Sequence, residues 1–282
     1  MKLHPLIAGL TLALASSMCL TGCGTSHQEK SGADPSSATA SAGSGYPATV
    51  MSCAEKLTFT EAPKKVLLLG DTDASVLTTL DVLDKVAMRT GRLDTTGYDV
   101  TTATKLKAIP QMKGTNATGG VSVATESILD AHIDLVVGYD RGVDRKALAK
   151  AGVKLYSPDA YCDDQTPVNH ADFGLVTKEV TKVGAIFGVP ERAATLNKAL
   201  KEQATDLKKH AANGKGASAA ALWLSDDGSS MSAYGRSSMS QANFDVNGLK
   251  NVYQDNRTRV FNVSMEDLLK RNPDWILLLN TS

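Results

Sequence analysis

Tyr234, Arg236 and Met239 fall close together in "SAYGRSSMS", a stretch otherwise made of glycine, alanine and serine with few packing duties. A guanidinium offers a planar fork to paired anionic oxygens, and a phenol stacks on a flat ligand or ligates iron. "GYDRG" repeats that pair of chemistries at Tyr139 and Arg141, and "MRTGR" adds Arg89. All three segments lie at or beyond the end of an aliphatic run that reads as a strand, which is where open α/β sheets place their ligands. These six residues are the candidates for ligand contact, whereas Trp223 alternates within a strand and reads as core. Catalysis finds no such support: G-x-S-x-G, H-E-x-x-H and G-x-x-x-x-G-K-[ST] are all missing, so binding rather than an enzyme activity is expected. A zinc or manganese centre needs about three histidines converging with a carboxylate. His132, His170 and His210 instead read as surface residues, so neither a metal site nor a catalytic residue is expected.

The cysteines divide by position. Lys2 followed by an apolar run over 6–20 has the layout of a secretory signal and is too short to span a bilayer. It ends in "LTGC", which resembles the bacterial lipoprotein signal, so 1–22 reads as signal peptide and Cys23 as the lipidated first residue of the mature chain. Residues 23–48 are rich in Ser, Gly and Ala and read as a flexible tether. In an exported body the remaining Cys53 and Cys162 are expected to form a disulfide. With 30 basic and 30 acidic residues the chain gives no reason to expect a nucleic-acid partner.

The elements that must position these groups alternate between strand and helix. "KKVLLLG" is a strand, "DASVLTTLDVL" a helix with Asp73 as its cap, "KVAMRT" a strand, and 91–120 a loop with few structural signals. A helix near Ser122, a strand over 133–138, the helix "DRKALAKAG" and the strand "VKLYSPD" follow. "FGLVTKEVTKVGAIFG" then puts Val176, Val180, Val183 and Phe187 on one helical face, and Pro190 opens a long helix with a narrow Leu196, Leu200, Leu207 stripe. "SAAALWL" starts a new sheet. "ESILDAHIDLVV" from Glu126 and "EDLLKRNPDWILLL" from Glu266 match in pattern, each with a second acid before the aliphatic run, at Asp134 and Asp274. The repeat predicts an α/β fold of two parallel-sheet lobes, 49–188 and 215–282, joined by one long helix over 189–214, with a ligand cleft between them. The core strand "WILLL" lies three residues from the end of the sequence, so the C-terminal lobe is expected to be truncated.

Taken together, the lipobox and tether, "APKKVLLLGDTDASVLTTLDVLDKVAMRTG", "ESILDAHIDLVVG", "LAKAGVKLY", the long linking helix, "MSAYGRSSMSQANFDVNGLKNVYQD" and "VSMEDLLKRNPDWILLL" resemble the substrate-binding lipoproteins of iron-siderophore, haem and cobalamin ABC importers. The resemblance implies a monomeric receptor, lipid-anchored at Cys23 on the outer face of the bacterial cytoplasmic membrane. It would hold no permanent cofactor and capture a small iron(III)-siderophore chelate for an ABC permease. It also implies that Glu126 and Glu266 dock on arginines of the two permease subunits, a role that suits acids in a first helical turn. An arginine in the cleft would then meet catecholate or hydroxamate oxygens. Haem, suggested by the Tyr-x-Arg spacing in "YGR", and cobalamin are the alternative cargoes. A surface sensor or adhesin lipoprotein is the alternative of another class, and it could dispense with the two docking acids.

Overall fold

The computed structural model describes residues 45–117, 120–139, 142–162, 168–211, 216–225 and 228–279. The signal peptide, Cys23 and the tether as far as 44 lie outside the described residues, as does Arg141.

The body begins earlier than the sequence reading placed it. Strands β1 (Ala48–Ser52) and β2 (Glu55–Phe59) form an antiparallel hairpin whose alternate residues are buried. The last residues assigned to the tether, 45–48, belong to this body, because the Tyr46 hydroxyl donates to the Ile186 carbonyl at 2.7 Å. The hairpin is held to the sheet behind it by buried polar contacts. The Ser157 amide donates to Ser52 Oγ at 2.8 Å, and Arg145 Nη1 reaches Glu55 Oε2 at 2.6 Å and the Leu155 carbonyl at 3.0 Å.

That sheet has four parallel strands in the order β4-β3-β7-β8: β3 (Val66–Leu69), β4 (Val86–Thr90), β7 (Leu135–Val137) and β8 (Lys154–Tyr156). Helices α1 (Ala74–Thr79), α2 (Val100–Ala108), α3 (Thr125–Asp130) and α4 (Arg145–Lys150) lie among them, with a small pair β5 (Thr115–Ala117) and β6 (Gly120–Ser122) before α3. A parallel sheet covered on both faces buries every strand residue, and β3 sends alternate side chains into two cores. Val66 and Leu68 join Leu77, Leu106, Val180 and Ile186, while Leu67 and Leu69 join Ile128, Leu148 and Leu155. Helix α2 occupies the region expected to be loop. Asp99 caps it, accepting from the Thr101 and Thr102 amides, but its threonines are poor helix formers and hid it from the pattern.

Helices α5 (Gly174–Ile186) and α6 (Pro190–His210) lead to the second sheet. Pro190 opens α6 at its first turn, where a missing N–H costs nothing. The two helices approach closely at Gly184, where an added Cβ would lie 2.4 Å from Cβ of Ala193. The stripe on α6 is shorter than expected: Leu196 and Leu200 pack on the core, but Leu207 is exposed.

The second sheet comprises β9 (Ser218–Leu224), β10 (Met231–Tyr234), β11 (Lys250–Asn251), β12 (Val260–Asn262) and β13 (Trp275–Leu279), with α7 (Met239–Val246) and α8 (Met265–Arg271). It is mixed rather than parallel. Strands β11 and β13 run parallel to β9, but β10 is antiparallel to both β9 and β12. The β9–β10 connection is too short to carry the crossover helix that a parallel pair requires. Trp275 to Leu278 of β13 remain exposed. Among the described residues no helix is long and apolar enough to cross a membrane.

The two copies of the sequence repeat occupy equivalent places. Asp134, just before β7, accepts from the Lys64 and Lys65 amides at the start of β3, at 2.7 and 3.1 Å. Asp274, just before β13, accepts from the Ser218 amide and hydroxyl at the start of β9, at 2.7 and 2.8 Å. These Ser218 donors hold the Asp274 carboxyl below its ordinary range, so its contribution to stability is present above the ordinary carboxylate pKa and disappears as pH falls through the lowered value. Asp274→Asn should therefore melt below the wild type at neutral pH, and the gap should close on acidification. Equal melting temperatures at neutral pH would contradict the clamp.

Candidate ligand cleft

At the carboxyl end of the first sheet, the turns after β3, β7 and β8 bring Asp71, Asp73, Tyr139 and Tyr161 together. The rings of Tyr139 and Tyr161 lie 4.1 Å apart at 49°. Burial, and then the neighbouring Tyr139 hydroxyl, push the Tyr161 phenol well above its usual range. Tyr161 therefore stays protonated at neutral pH and acts as a hydrogen-bond donor rather than as a phenolate. Arg89 lies on β4 at the same end. Its Nη1 donates to the Gly91 carbonyl at 3.3 Å, and its buried Nε has no partner among the described residues. Tyr139 and Arg89 lie at the carboxyl end of this sheet, and Tyr161 beside them is a residue to which the sequence reading gave no role of its own. Its signal was position, beyond the end of the "KLY" strand.

Asp73 does not cap α1. Its backbone is left-handed, at φ 57°, and its side chain makes no capping bond. The carboxyl instead turns inward toward Glu179 of α5.

On the second sheet, "SAYGRSSMS" is less of a loop than its composition suggested, because Tyr234 ends β10 and Met239 begins α7. Only residues 235–238 connect them, and they are closely packed. An added Cβ at Gly235 would stand 2.4 Å from the Thr258 carbonyl oxygen. This connection meets the segment that enters α5. The Ala171 amide donates to the Arg236 carbonyl at 2.8 Å, Ser237 Oγ donates to the Val168 carbonyl, and His170 Nε2 lies 2.5 Å from Asp245 Oδ2. The Arg236 guanidinium takes part, with Nη1 on the Gln254 carbonyl at 3.3 Å and Nη2 on Asn169 Oδ1 at 3.4 Å. In this structure Arg236 braces two loops. Tyr234 is half-buried, and burial raises its phenol. Met239 is half-buried as well.

Cys53, at the turn of the β1–β2 hairpin, is bonded to Cys162 beside Tyr161, with Cα atoms 5.2 Å apart across 109 residues of sequence. The bridge ties the hairpin to the segment that carries one wall of the mouth, and closing so long a loop is worth about 3–5 kcal/mol in the chain-entropy model. Glu126 and Glu266 stand exposed in the first turns of α3 and α8, neither in an ion pair among the described residues. Among the described residues there is no group of three metal-binding side chains.

Residues 73–281 match the family model described as periplasmic binding protein. The chain belongs to that family. Among solved periplasmic binding structures it is similar to an ABC-type Fe3+-hydroxamate transport protein of Saccharomonospora viridis DSM 43017, at 30% identity and TM-score 0.76, covering 84% of this chain and 81% of that one. A periplasmic haem-binding protein of Vibrio cholerae matches at 16% identity and TM-score 0.58, covering 77% of each chain. A vitamin B12-binding protein of the same organism matches at 16% identity and TM-score 0.53, covering 77% of this chain and 76% of that one. The two matches at 16% identity show the shared two-lobed fold. No curated protein sequence matches the chain.

Periplasmic binding proteins hold their ligand between two lobes, so a brace between the connecting segment and the second sheet is part of the frame. Arg236→Ala should destabilise the ligand-free protein by about 1–2 kcal/mol for the hydrogen bonds removed, and so lower its melting temperature. An unchanged melt would contradict the bracing role.

Proposed function

We propose that this chain is the lipid-anchored receptor of an ABC importer and that its cargo is a ferric siderophore of the hydroxamate type. The observation that carries the cargo class is the 30% identity, over 84% of the chain, to the Fe3+-hydroxamate transport protein of Saccharomonospora viridis. The chemistry of the first-lobe mouth supports it. A ferric hydroxamate presents an iron centre already saturated by its own oxygens inside an organic shell. Such a cargo needs aromatic surface and hydrogen-bond donors, which Tyr139, Tyr161 and Arg89 offer, and it needs no protein ligand to the metal. Haem would call for an axial ligand. Burial keeps the Tyr161 phenol protonated, and His170 and His210 are engaged with Asp245 and the Asp206 carbonyl. The cobalamin reading rests on fold similarity alone.

Delivery would use Glu126 and Glu266. Each is an exposed acid in the first turn of the helix preceding a clamped strand, one on each lobe, so the pair offers two separated negative points to a two-subunit permease carrying arginines. Exposed pairs of this kind are individually weak, which suits transient docking. A sensor or adhesin would have no use for the matched pair. In this reading the mature chain is a monomer on the outer face of the bacterial cytoplasmic membrane, held by a lipid on Cys23.

Quenching of intrinsic tryptophan fluorescence by ferric hydroxamate, catecholate and citrate chelates, haem and cobalamin tests the cargo. Saturable sub-micromolar binding of the hydroxamate chelate (an affinity of about −8 kcal/mol or better) is expected. Preference for any other ligand would overturn the assignment. The double substitution Glu126→Arg with Glu266→Arg should abolish uptake by cells while leaving ligand affinity within about twofold. Parallel loss of both would refute the docking role.

A further inference from the structure

Beneath the tyrosine wall lies a group of ionisable side chains that the binding reading does not use. Asp73 on the turn after β3 and Glu179 on α5 have their carboxyls within hydrogen-bonding reach of each other. Tyr156, at the end of β8, donates its hydroxyl proton to Glu179 Oε1 at 2.5 Å. Lys182, the cation nearest the pair, is bonded to Asp159 Oδ1 at 2.5 Å. Asp73 Oδ2 is buried and has no hydrogen-bond partner among the described residues. The other ionisable groups facing the pair are Asp71 in the same turn, Asp159 and Tyr161 beyond β8, and Tyr139 next to Tyr161. Around two carboxyls, then, stand two further acids and three phenols, against one lysine already paired.

Counting protons shows what is missing. If both carboxyls are ionised, they are acceptors only, and the contact between them joins two anions with nothing in between. One proton resolves both difficulties. It turns the contact into a carboxyl–carboxylate hydrogen bond, gives the buried Asp73 carboxyl the partner it lacks and leaves the pair with a single negative charge. We propose that Asp73 and Glu179 share one proton at neutral pH, forming a proton-binding site that latches α1 to α5 beneath the candidate ligand cleft. This inference does not depend on the identity of the cargo.

Burial, followed by the mutual repulsion of the pair, raises Asp73 well above the ordinary carboxyl range, and burial raises Glu179. A raised acid stabilises the fold fully below its unfolded pKa, and that stability is lost as pH rises through the folded value. The latch should therefore be closed at low pH and weaken as pH rises through the raised value. Helix α5 runs directly into the turn before α6, so a weakened latch would loosen the element that leads out of the first sheet.

Infrared spectroscopy of the wild-type protein tests the proton directly. A C=O stretch of protonated carboxyl should be present at neutral pH, where surface carboxyls are ionised, and should disappear on alkaline titration. Asp73→Asn and Glu179→Gln should each abolish the band, because the amide supplies the missing proton and lets the surviving carboxyl ionise. Each variant should also flatten the fall in melting temperature that the wild type shows between neutral and alkaline pH. Should one variant fail to fold, the wild-type band and the other variant decide. No band at neutral pH in the wild type would overturn the proposal, as would a band that survives in a folded Asp73→Asn or Glu179→Gln protein.

Discussion

In each sheet a carboxylate grips the start of the strand next to its own. Asp134 binds the amides that open β3, and Asp274 binds the amide and hydroxyl that open β9. Parallel strands lack the tight turn that sets register in a hairpin, and a slip of one residue would exchange the two faces of β3 and their two cores. The clamps fix Val66 opposite Leu135 and Ala219 opposite Trp275. With the starts of the strands aligned, the distance to their carboxyl ends follows from strand geometry. In the first sheet the aspartate at one end thereby helps to place the candidate ligand groups at the other.

The repeat that carries these aspartates was legible because helix, turn and buried strand have sharp and different periodicities. The same holds for α5, α6 and most of the first sheet. The β1–β2 hairpin was missed because its strands are short and burial in β1 does not follow polarity, Met51 facing outward and Ser52 inward, so nothing in "ATVMSCAEKLTF" reads as core until the sheet behind it is known. Helix α2 hid behind its threonines, and the mixed second sheet behind a loop whose length decides strand direction. At the mouth, Tyr139 and Arg89 could be placed from the ends of aliphatic runs. The inward turn of Asp73 and the bracing by Arg236 could not, since both depend on partners distant in sequence: Glu179 for one, Asn169 and Gln254 for the other.

The cleft groups belong to a frame that is stiff where the lobes are joined. The disulfide pins the hairpin to the Tyr161 segment, and residues 168–171 are hydrogen-bonded to 235–238. A binding protein of this build can accept a rigid ligand with little rearrangement, which limits the entropy lost on binding. It also keeps Glu126 and Glu266 at a set separation, as the proposed docking requires.

Chemical-shift mapping with a diamagnetic gallium(III) hydroxamate chelate would test the central claim that the ligand binds at the carboxyl ends of the first sheet's strands. The account predicts that the largest perturbations fall on Asp71, Asp73, Tyr139, Tyr161 and Arg89, with a second group around Tyr234. Perturbations confined to the exposed apolar face of β13, or to the end of the first sheet held by Asp134, would contradict it.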